Sequence, residues 1–299
     1  MDTTDYQYIE PTVGTVYEYT PRLQVFEFAE GAKTSTNAVL FIGGLTDGLL
    51  TVPYLPALSK QLPDGWNLYN IIFSSSYAGW ATGSLDRDID EISKCVTYLR
   101  DKLGKKKIVL FGNSTGCQDS IHYALNKADV KVDGIVLHSP VSDRYACGSM
   151  FEEKGQNLED WNKEAKEWGD IYGMEAVLPP KFSKWFFDTN ITAYRWLSLF
   201  TVGGDDDYFS EDLTDDALKN SFGKLNIPTL VLYSEKDEFV PSTVNKSAIV
   251  ERWRSFTPHG IYSKYSTVIK GCSHQCSNLS DPGALESLIE TAGKFLSEL

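Results

Sequence analysis

The stretch that most narrows the possible folds is residues 106–118, KKIVLFGNSTGCQ. Four apolar residues, 108–111, lead straight into Gly112-Asn113-Ser114-Thr115-Gly116, and a helix-like spacing of Ile121, His122, Ala124 and Leu125 follows. The order is strand, sharp turn, helix. In the pattern G-x-S-x-G the central serine is held in a strained turn, and the residues two before and two after it must be small so that strand and helix can approach. Gly112 and Gly116 hold those places. Such a turn lifts the Ser114 hydroxyl above the carboxyl end of the strand and aims the Thr115 amide into the same space from a helix N-terminus. Five-residue patterns recur by chance, and a serine in a glycine-rich turn is the plain alternative. The strand before and the helix after make Ser114 a candidate nucleophile.

Around this stretch the chain alternates strands and helices. Residues 14–19 and 22–28, separated by Thr20-Pro21, read as an antiparallel pair at a sheet edge. Residues 37–42 (NAVLFI) form a buried strand running into Gly43-Gly44-Leu45-Thr46-Asp47-Gly48, where glycines let the backbone approach a ligand. A strand at 66–73 precedes the loop Ser74 to Trp80, rich in hydroxyls and aromatics; loops of this kind line sites or simply face solvent. Residues 86–103 have helical spacing ended by Gly104, 134–138 (GIVLH) and 227–234 (IPTLVLYS) are buried strands, 243–256 is helical, 262–269 alternates as a last strand, and 282–299 is an amphipathic closing helix. The pattern predicts an α/β fold: a mostly parallel sheet with helices on both faces and ligands beyond the carboxyl ends of the strands. Between about 145 and 222 the β pattern stops, and four tryptophans, Trp161, Trp168, Trp185 and Trp196, fall in a helical stretch too long for a connection. The expected division is a core of 1–144 and 223–299 with a helical cap insertion at 145–222.

An elbow serine needs a base, and the base needs a group that holds its tautomer. Of four histidines, His122 lies within the helix after the elbow, His259 precedes the last strand at its amino end, and His138 ends a strand on the right face, where it could line the pocket. His274, in Gly271-Cys272-Ser273-His274, follows the last strand and is the expected base. The chain order serine, acid, histidine points to the loop after 227–234, with Asp237 as the acid and Asp143, after the preceding strand, as the alternative. Two amides, Thr115 and Leu45, are the expected oxyanion donors, with Gly44 as the other possibility. Gly44, Trp80, His138 and Asp206 are the candidate substrate contacts. The run Asp205-Asp206-Asp207 is either a solvated loop or an acidic rim that favours a cationic substrate group.

A net charge of −13 argues against nucleic acid or an anionic membrane as partner. The first thirty residues carry no apolar core of a leader, and no run of eighteen apolar residues occurs, so a cytoplasmic protein is expected. Five scattered cysteines suit reduced thiols. Cys272 and Cys276 flank His274 but lack the second ligand pair zinc usually needs, so neither a metal nor a cofactor is expected.

The segments TPRLQVFEFA, NAVLFIGGLTDGLLTVPYL, SSSYAGWATGSLDRDIDEISKCVTYLR, GKKKIVLFGNSTGCQD, VDGIVLHSPVSDR, AYRWLSLF, GGDDDYFSEDL and LYSEKDEFVP cover much of the chain. In them it resembles a fungal group of α/β-hydrolases long catalogued as a domain of unknown function, within which cytosolic siderophore esterases have been described. The resemblance implies an α/β-hydrolase fold, a triad of Ser114, Asp237 and His274, and hydrolysis of esters in fusarinine-type siderophores, with the iron–siderophore complex as a small-molecule substrate. One departure is Asn113, where many relatives carry histidine; beside the nucleophile it is expected to alter the pocket. Two other readings stay open: a hydrolase for lipid esters, thioesters or peptides, and a ligand-binding protein on a hydrolase scaffold without turnover. The oligomeric state is not legible.

Overall fold

The computed structural model describes residues 9, 11–30, 35–127 and 129–299. Its strands are β1 (Gly14–Thr20), β2 (Leu23–Phe28), β3 (Asn37–Ile42), β4 (Trp66–Ile72), β5 (Ile108–Asn113), β6 (Gly134–His138), β7 (Thr229–Ser234) and β8 (Thr267–Ile269). They form one sheet in the order β1-β2-β4-β3-β5-β6-β7-β8. The pairs β1–β2 and β2–β4 are antiparallel, and every other pair is parallel. The helices are α1 (Leu55–Gln61), α2 (Leu85–Asp101), α3 (Gly116–Asn126), α4 (Asp143–Glu153), α5 (Leu158–Tyr172), α6 (Pro180–Ser183), α7 (Ala193–Phe200), α8 (Asp215–Asn220), α9 (Lys246–Phe256) and α10 (Ala284–Glu298).

The central strands are apolar on both faces because both faces are covered, and their side chains alternate between two cores. On β3 and β5, Ala38, Leu40, Ile108 and Leu110 pack with Ile92, Val96, Ile121 and Trp253 from α2, α3 and α9. Val39, Phe41, Val109 and Phe111 face the other way, onto Leu55 and Leu58 of α1 and Leu288, Ala292 and Phe295 of α10. Helix α2 starts where Ser84 caps it, its side chain accepting the Arg87 N–H, so the first turn already carries Asp86 and Asp88 at the positive end of the dipole.

Between β6 and β7 the chain forms α4 to α8; α4 to α7 have a core of their own, whereas Leu218 of α8 packs into the core under α2, α3 and α9. Phe151, Phe182, Trp196 and Phe200 are buried there, with Trp161 and Trp185 packed against them. Phe151 stacks on Trp185 at 3.8 Å between ring centroids, and Phe182 meets Trp196 edge-on at 4.8 Å. Two residues of the strand-end loops reach into this cluster, Leu45 after β3 and Trp80 after β4.

One expectation is corrected, and one helix was not foreseen. Residues 262–269 are not one strand: Tyr262 makes a single bridge to Thr229, a turn follows in which the Ser266 N–H bonds the Ser263 carbonyl, and only Thr267–Ile269 pairs with β7. The alternation there was produced by turn residues, and Ser266 uses its hydroxyl to accept the Val231 N–H that a continuous strand would have bonded by its backbone. Helix α1 was not expected; its proline-containing seven residues are too short to show a period. Among the described residues no helix is long and apolar enough to cross a membrane.

Candidate active site

Ser114 follows β5 with φ +55°, a left-handed conformation that costs a serine about 1–2 kcal/mol. The flanking glycines are required by close approach. A Cβ on Gly112 would lie 2.2 Å from the Gly116 carbonyl oxygen, and one on Gly116 would lie 2.2 Å from that of Ile42. Past the turn, Thr115 stands as the N-cap residue of α3. Left-handed backbone recurs at this edge of the sheet, at Thr46 after β3, Tyr77 after β4 and Ser139 after β6.

The glycine loop after β3 lies against the serine. A Cβ on Gly44 would sit 2.6 Å from the Ser114 Cβ and 3.0 Å from its Oγ, so only glycine fits. The Gly44 N–H is engaged, donating to Asp47 Oδ2 at 2.8 Å. The Gly44 amide is thus occupied, whereas the Leu45 and Thr115 N–H groups donate to no protein acceptor among the described residues.

His274 Nδ1 is 2.8 Å from Asp237 Oδ2, both side chains buried. Asp237 Oδ1 accepts the Phe239 N–H at 3.1 Å, which fixes the carboxylate, and the Phe239 ring stands edge-on to the imidazole at 4.7 Å. The neighbouring acids hold the same loop by its main chain: Glu238 Oε2 accepts the His274 N–H at 2.8 Å, and Glu235 Oε2 accepts that of Gly271 at 2.7 Å. Burial pulls the His274 pKa down, but the charge and hydrogen bond of Asp237, then Glu238 and Asp47, outweigh it and leave the pKa raised. With Nδ1–H donating to Asp237, Nε2 is the nitrogen with a free lone pair.

Serine and histidine converge on consecutive residues at the end of β6. The Ser114 N–H donates to the His138 carbonyl at 3.1 Å, and Ser139 Oγ donates to the His274 carbonyl at 2.7 Å. Asp143 takes a different partner, accepting from Gln118 Nε2 at 2.6 Å. Burial pushes its carboxyl up to about 8, with Asp206 adding to the shift and Arg195 and His274 opposing it.

Several expected substrate contacts are placed elsewhere. His138 is completely buried beneath the elbow: Tyr54 Oη and Asn113 Nδ2 lie 3.0 and 3.1 Å from its Nδ1, and Ser234 Oγ lies 3.3 Å from its Nε2. Strand period explains this, since a side chain at the last strand position still points into a covered face. Asn113 is buried with it and does not shape the pocket surface. Trp80 is 2% exposed and packs on Phe186 in the helical cluster. Asp206 is no rim residue: its Oδ2 bonds Arg195 Nη1 and Ser198 Oγ, both at 2.6 Å, with the side chain fully buried. Asp205 accepts from Tyr194 Oη at 2.6 Å, and Asp207 pairs with Arg144 at 3.3 Å. The acidic run therefore points three ways into its own surroundings, and Arg195, the single arginine of residues 145–222, was the signal that one of its members had an internal partner.

Sheet order, helix placement and the serine turn together define an α/β-hydrolase fold. The family described as "Protein of unknown function (DUF1749)" matches residues 2–297, and the chain belongs to it. It is 36% identical over 299 residues to a UPF0613 protein of Schizosaccharomyces pombe, an alignment covering 92% of this chain and 94% of that one. It is 31% identical over 341 residues to the fusarinine C esterase sidJ of Aspergillus fumigatus, covering 96% of each. Among solved structures, the siderophore hydrolase EstB from Aspergillus fumigatus superposes with a TM-score of 0.84 at 31% identity, covering 96% of this chain and 98% of that one.

Proposed function

We propose that the protein is a serine ester hydrolase that works through an acyl-enzyme. The observation that carries the reading is the convergence of a left-handed Ser114 and a buried, Asp237-bound His274 on adjacent residues at one corner of the sheet. Ser114 Oγ attacks the ester carbonyl while His274 Nε2 takes its proton, and Asp237 stabilises the imidazolium that forms. The carbonyl oxygen becomes an oxyanion facing the Leu45 and Thr115 N–H groups. Collapse breaks the C–O bond, the alcohol leaves with the proton from His274, and water repeats the sequence on the acyl-serine.

Hydrolysis of a siderophore ester of the fusarinine type is the substrate assignment, supported by relatives named for that activity. Cleavage of such an iron-holding ester releases its iron. Five buried, unbridged cysteines fit a reducing compartment, and we assign the reaction to the cytoplasm. Residues 145–222 act as a cap over the site, supported by the insertion of Leu45 and Trp80 into its aromatic cluster.

The test is treatment of the purified protein with a fluorophosphonate, followed by peptide mass spectrometry and turnover of a panel of ferri-fusarinine, 4-nitrophenyl, monoacylglycerol and thioester substrates. Modification at Ser114 with fastest turnover of ferri-fusarinine is expected. No modification at Ser114 overturns the serine mechanism, whereas modification with preference for another ester overturns only the substrate.

A further inference from the structure

Three loops that follow strands of the sheet meet at Asp47. The residue is buried, 8% exposed. Oδ2 accepts the Gly44 N–H at 2.8 Å, Oδ1 accepts the Thr51 hydroxyl at 2.9 Å, and Gln275 Nε2 approaches both oxygens at 3.3 and 3.4 Å. Its own carbonyl accepts the Tyr77 N–H at 2.8 Å. Gly44 abuts Ser114, and Gln275 directly follows His274. Asp47 therefore connects the loop beside the nucleophile to the loop that carries the base.

We propose that Asp47 is a positioning residue of the ester-hydrolysing site: by taking the Gly44 N–H and holding Gln275, it sets the turn that presents the Leu45 N–H to the oxyanion and fixes its distance from the histidine loop. The proposal rests on the serine-hydrolase reading above. Thr46, between Leu45 and Asp47, is left-handed at φ +70°. A conformation that costs free energy in a threonine persists only where neighbours over-determine it, and the carboxylate that bonds Gly44 across this turn is the group that does so. Burial pushes the Asp47 carboxyl up, and the Gly44 N–H, the Thr51 hydroxyl, the His274 charge and Gln275 pull against it. A turn loosened by less than an ångström leaves substrate binding intact and misplaces a donor needed only when the oxyanion forms.

Asp47→Asn keeps the size of the side chain and weakens the double acceptor. With 4-nitrophenyl acetate its kcat is expected to fall about a hundredfold with KM within about twofold. The inhibition constant of a trifluoromethyl ketone, which adds to the serine as a tetrahedral adduct, should rise by a similar factor. Gln275→Ala and Thr51→Val each remove one donor to the Asp47 carboxylate, Thr51→Val also the acceptor of the Gly48 N–H, and each should lower kcat by about tenfold or less in the same pattern. A lower Tm with unchanged kcat and unchanged ketone affinity overturns the positioning role. If Asp47→Asn does not fold, unchanged kcat in both Gln275→Ala and Thr51→Val overturns it. A Ser114→Ala protein that still turns over the ester sinks the underlying mechanism instead, whatever the Asp47 variants do.

Discussion

The His274–Asp237 pair spans 2.8 Å with side chains 5% and 0% exposed, and the Arg195–Asp206 pair spans 2.6 Å with side chains 3% and 0% exposed. By distance and burial the two are the same object. They differ in what the cation can do and in what lies beside it. Arginine stays charged at any relevant pH, so its pair can hold but cannot pass a proton, whereas histidine changes charge near neutrality. Arg195 also donates from Nε to the Trp80 carbonyl at 3.1 Å, which ties α7 to a strand-end loop of the core. His274 instead bonds Asp237 through Nδ1, which leaves Nε2 as the nitrogen with a free lone pair. On the serine-hydrolase reading proposed above, a buried ion pair serves chemistry only when its cation titrates and keeps one atom free for a nucleophile.

The largest expected effect breaks the first region outright. Ser114→Ala should lower kcat by about 10^6 while the thermal melt stays near that of the parent protein; a variant with a tenth of the activity rejects Ser114. Next comes Asp237→Asn, for which a loss of about 10^4 in kcat is expected from the wrong histidine tautomer. The pH profile sharpens this second case. The base must be neutral, and the His274 pKa is raised, burial being outweighed by Asp237 and then Glu238 and Asp47. Activity should therefore rise with pH along a limb centred above about 6.5. In Asp237→Asn the opposing charge is gone while burial remains, so the limb should move to lower pH; a limb that stays put takes the carboxylate out of the mechanism.

The first region was far more legible in the sequence than the second. Most strands and their mostly parallel arrangement follow from apolar runs and their spacing, and the elbow was written in Gly112 and Gly116, whose missing Cβ atoms the structure requires. Ser114 and Asp237 follow strands that the sequence marks clearly, and His274 follows a last strand whose end at Ile269 was legible though its start was not. The segment from α4 to α8 has no such ruler. Its helices α4 to α7 are packed by an aromatic cluster whose partners are separated by many residues, as Phe151 from Trp185 and Phe182 from Trp196. The lone Arg195 hinted at an internal partner for the acidic run, but which of Asp205, Asp206 and Asp207 it meets depends on how the chain turns after α7, and the residue pattern does not encode that. Asp47 was hidden for a different reason: in the run Gly44-Leu45-Thr46-Asp47 an acid in a loop looks solvated until its donors are seen.

The second region is expected to fail as structure rather than as catalysis. Arg195→Met strands Asp206 in the interior together with Asp88 and Asp119, all buried. Breaking a buried pair by removing one partner typically costs about 3–5 kcal/mol, read here as a lower urea midpoint. The double variant Arg195→Met with Asp206→Leu should recover much of that loss, because no lone charge then remains buried at that pair. If the double variant is no more stable than Arg195→Met alone, the pair is not what holds this segment.

The smallest effect concerns the residue that feels both regions. Asp143 is acted on by Asp206 and Arg195 from one side and by His274 from the other, and it holds Gln118 by a hydrogen bond of 2.6 Å. Burial, then Asp206, raises its carboxyl from an ordinary 3.8 to about 8. The sign follows from proton counting: between those two values the folded chain keeps a proton that the unfolded chain has released, so this group lowers stability as pH rises across that window. Asp143→Asn removes the cost. Relative to the parent protein it should be more stable at pH 8, by at least about 1 kcal/mol, the worth of one pKa unit. At pH 4, where the native side chain is protonated in the fold, the two should be close. Urea midpoints of both proteins at the two pH values give the difference directly. In turnover, Asp143→Asn should cost far less than Asp237→Asn, since its carboxyl bonds Gln118 and not the imidazole. A variant less stable than the parent at pH 8 marks Asp143 as a carboxylate held by Arg195, which draws it into the second region; a 10^4-fold loss of turnover makes it the acid of the first.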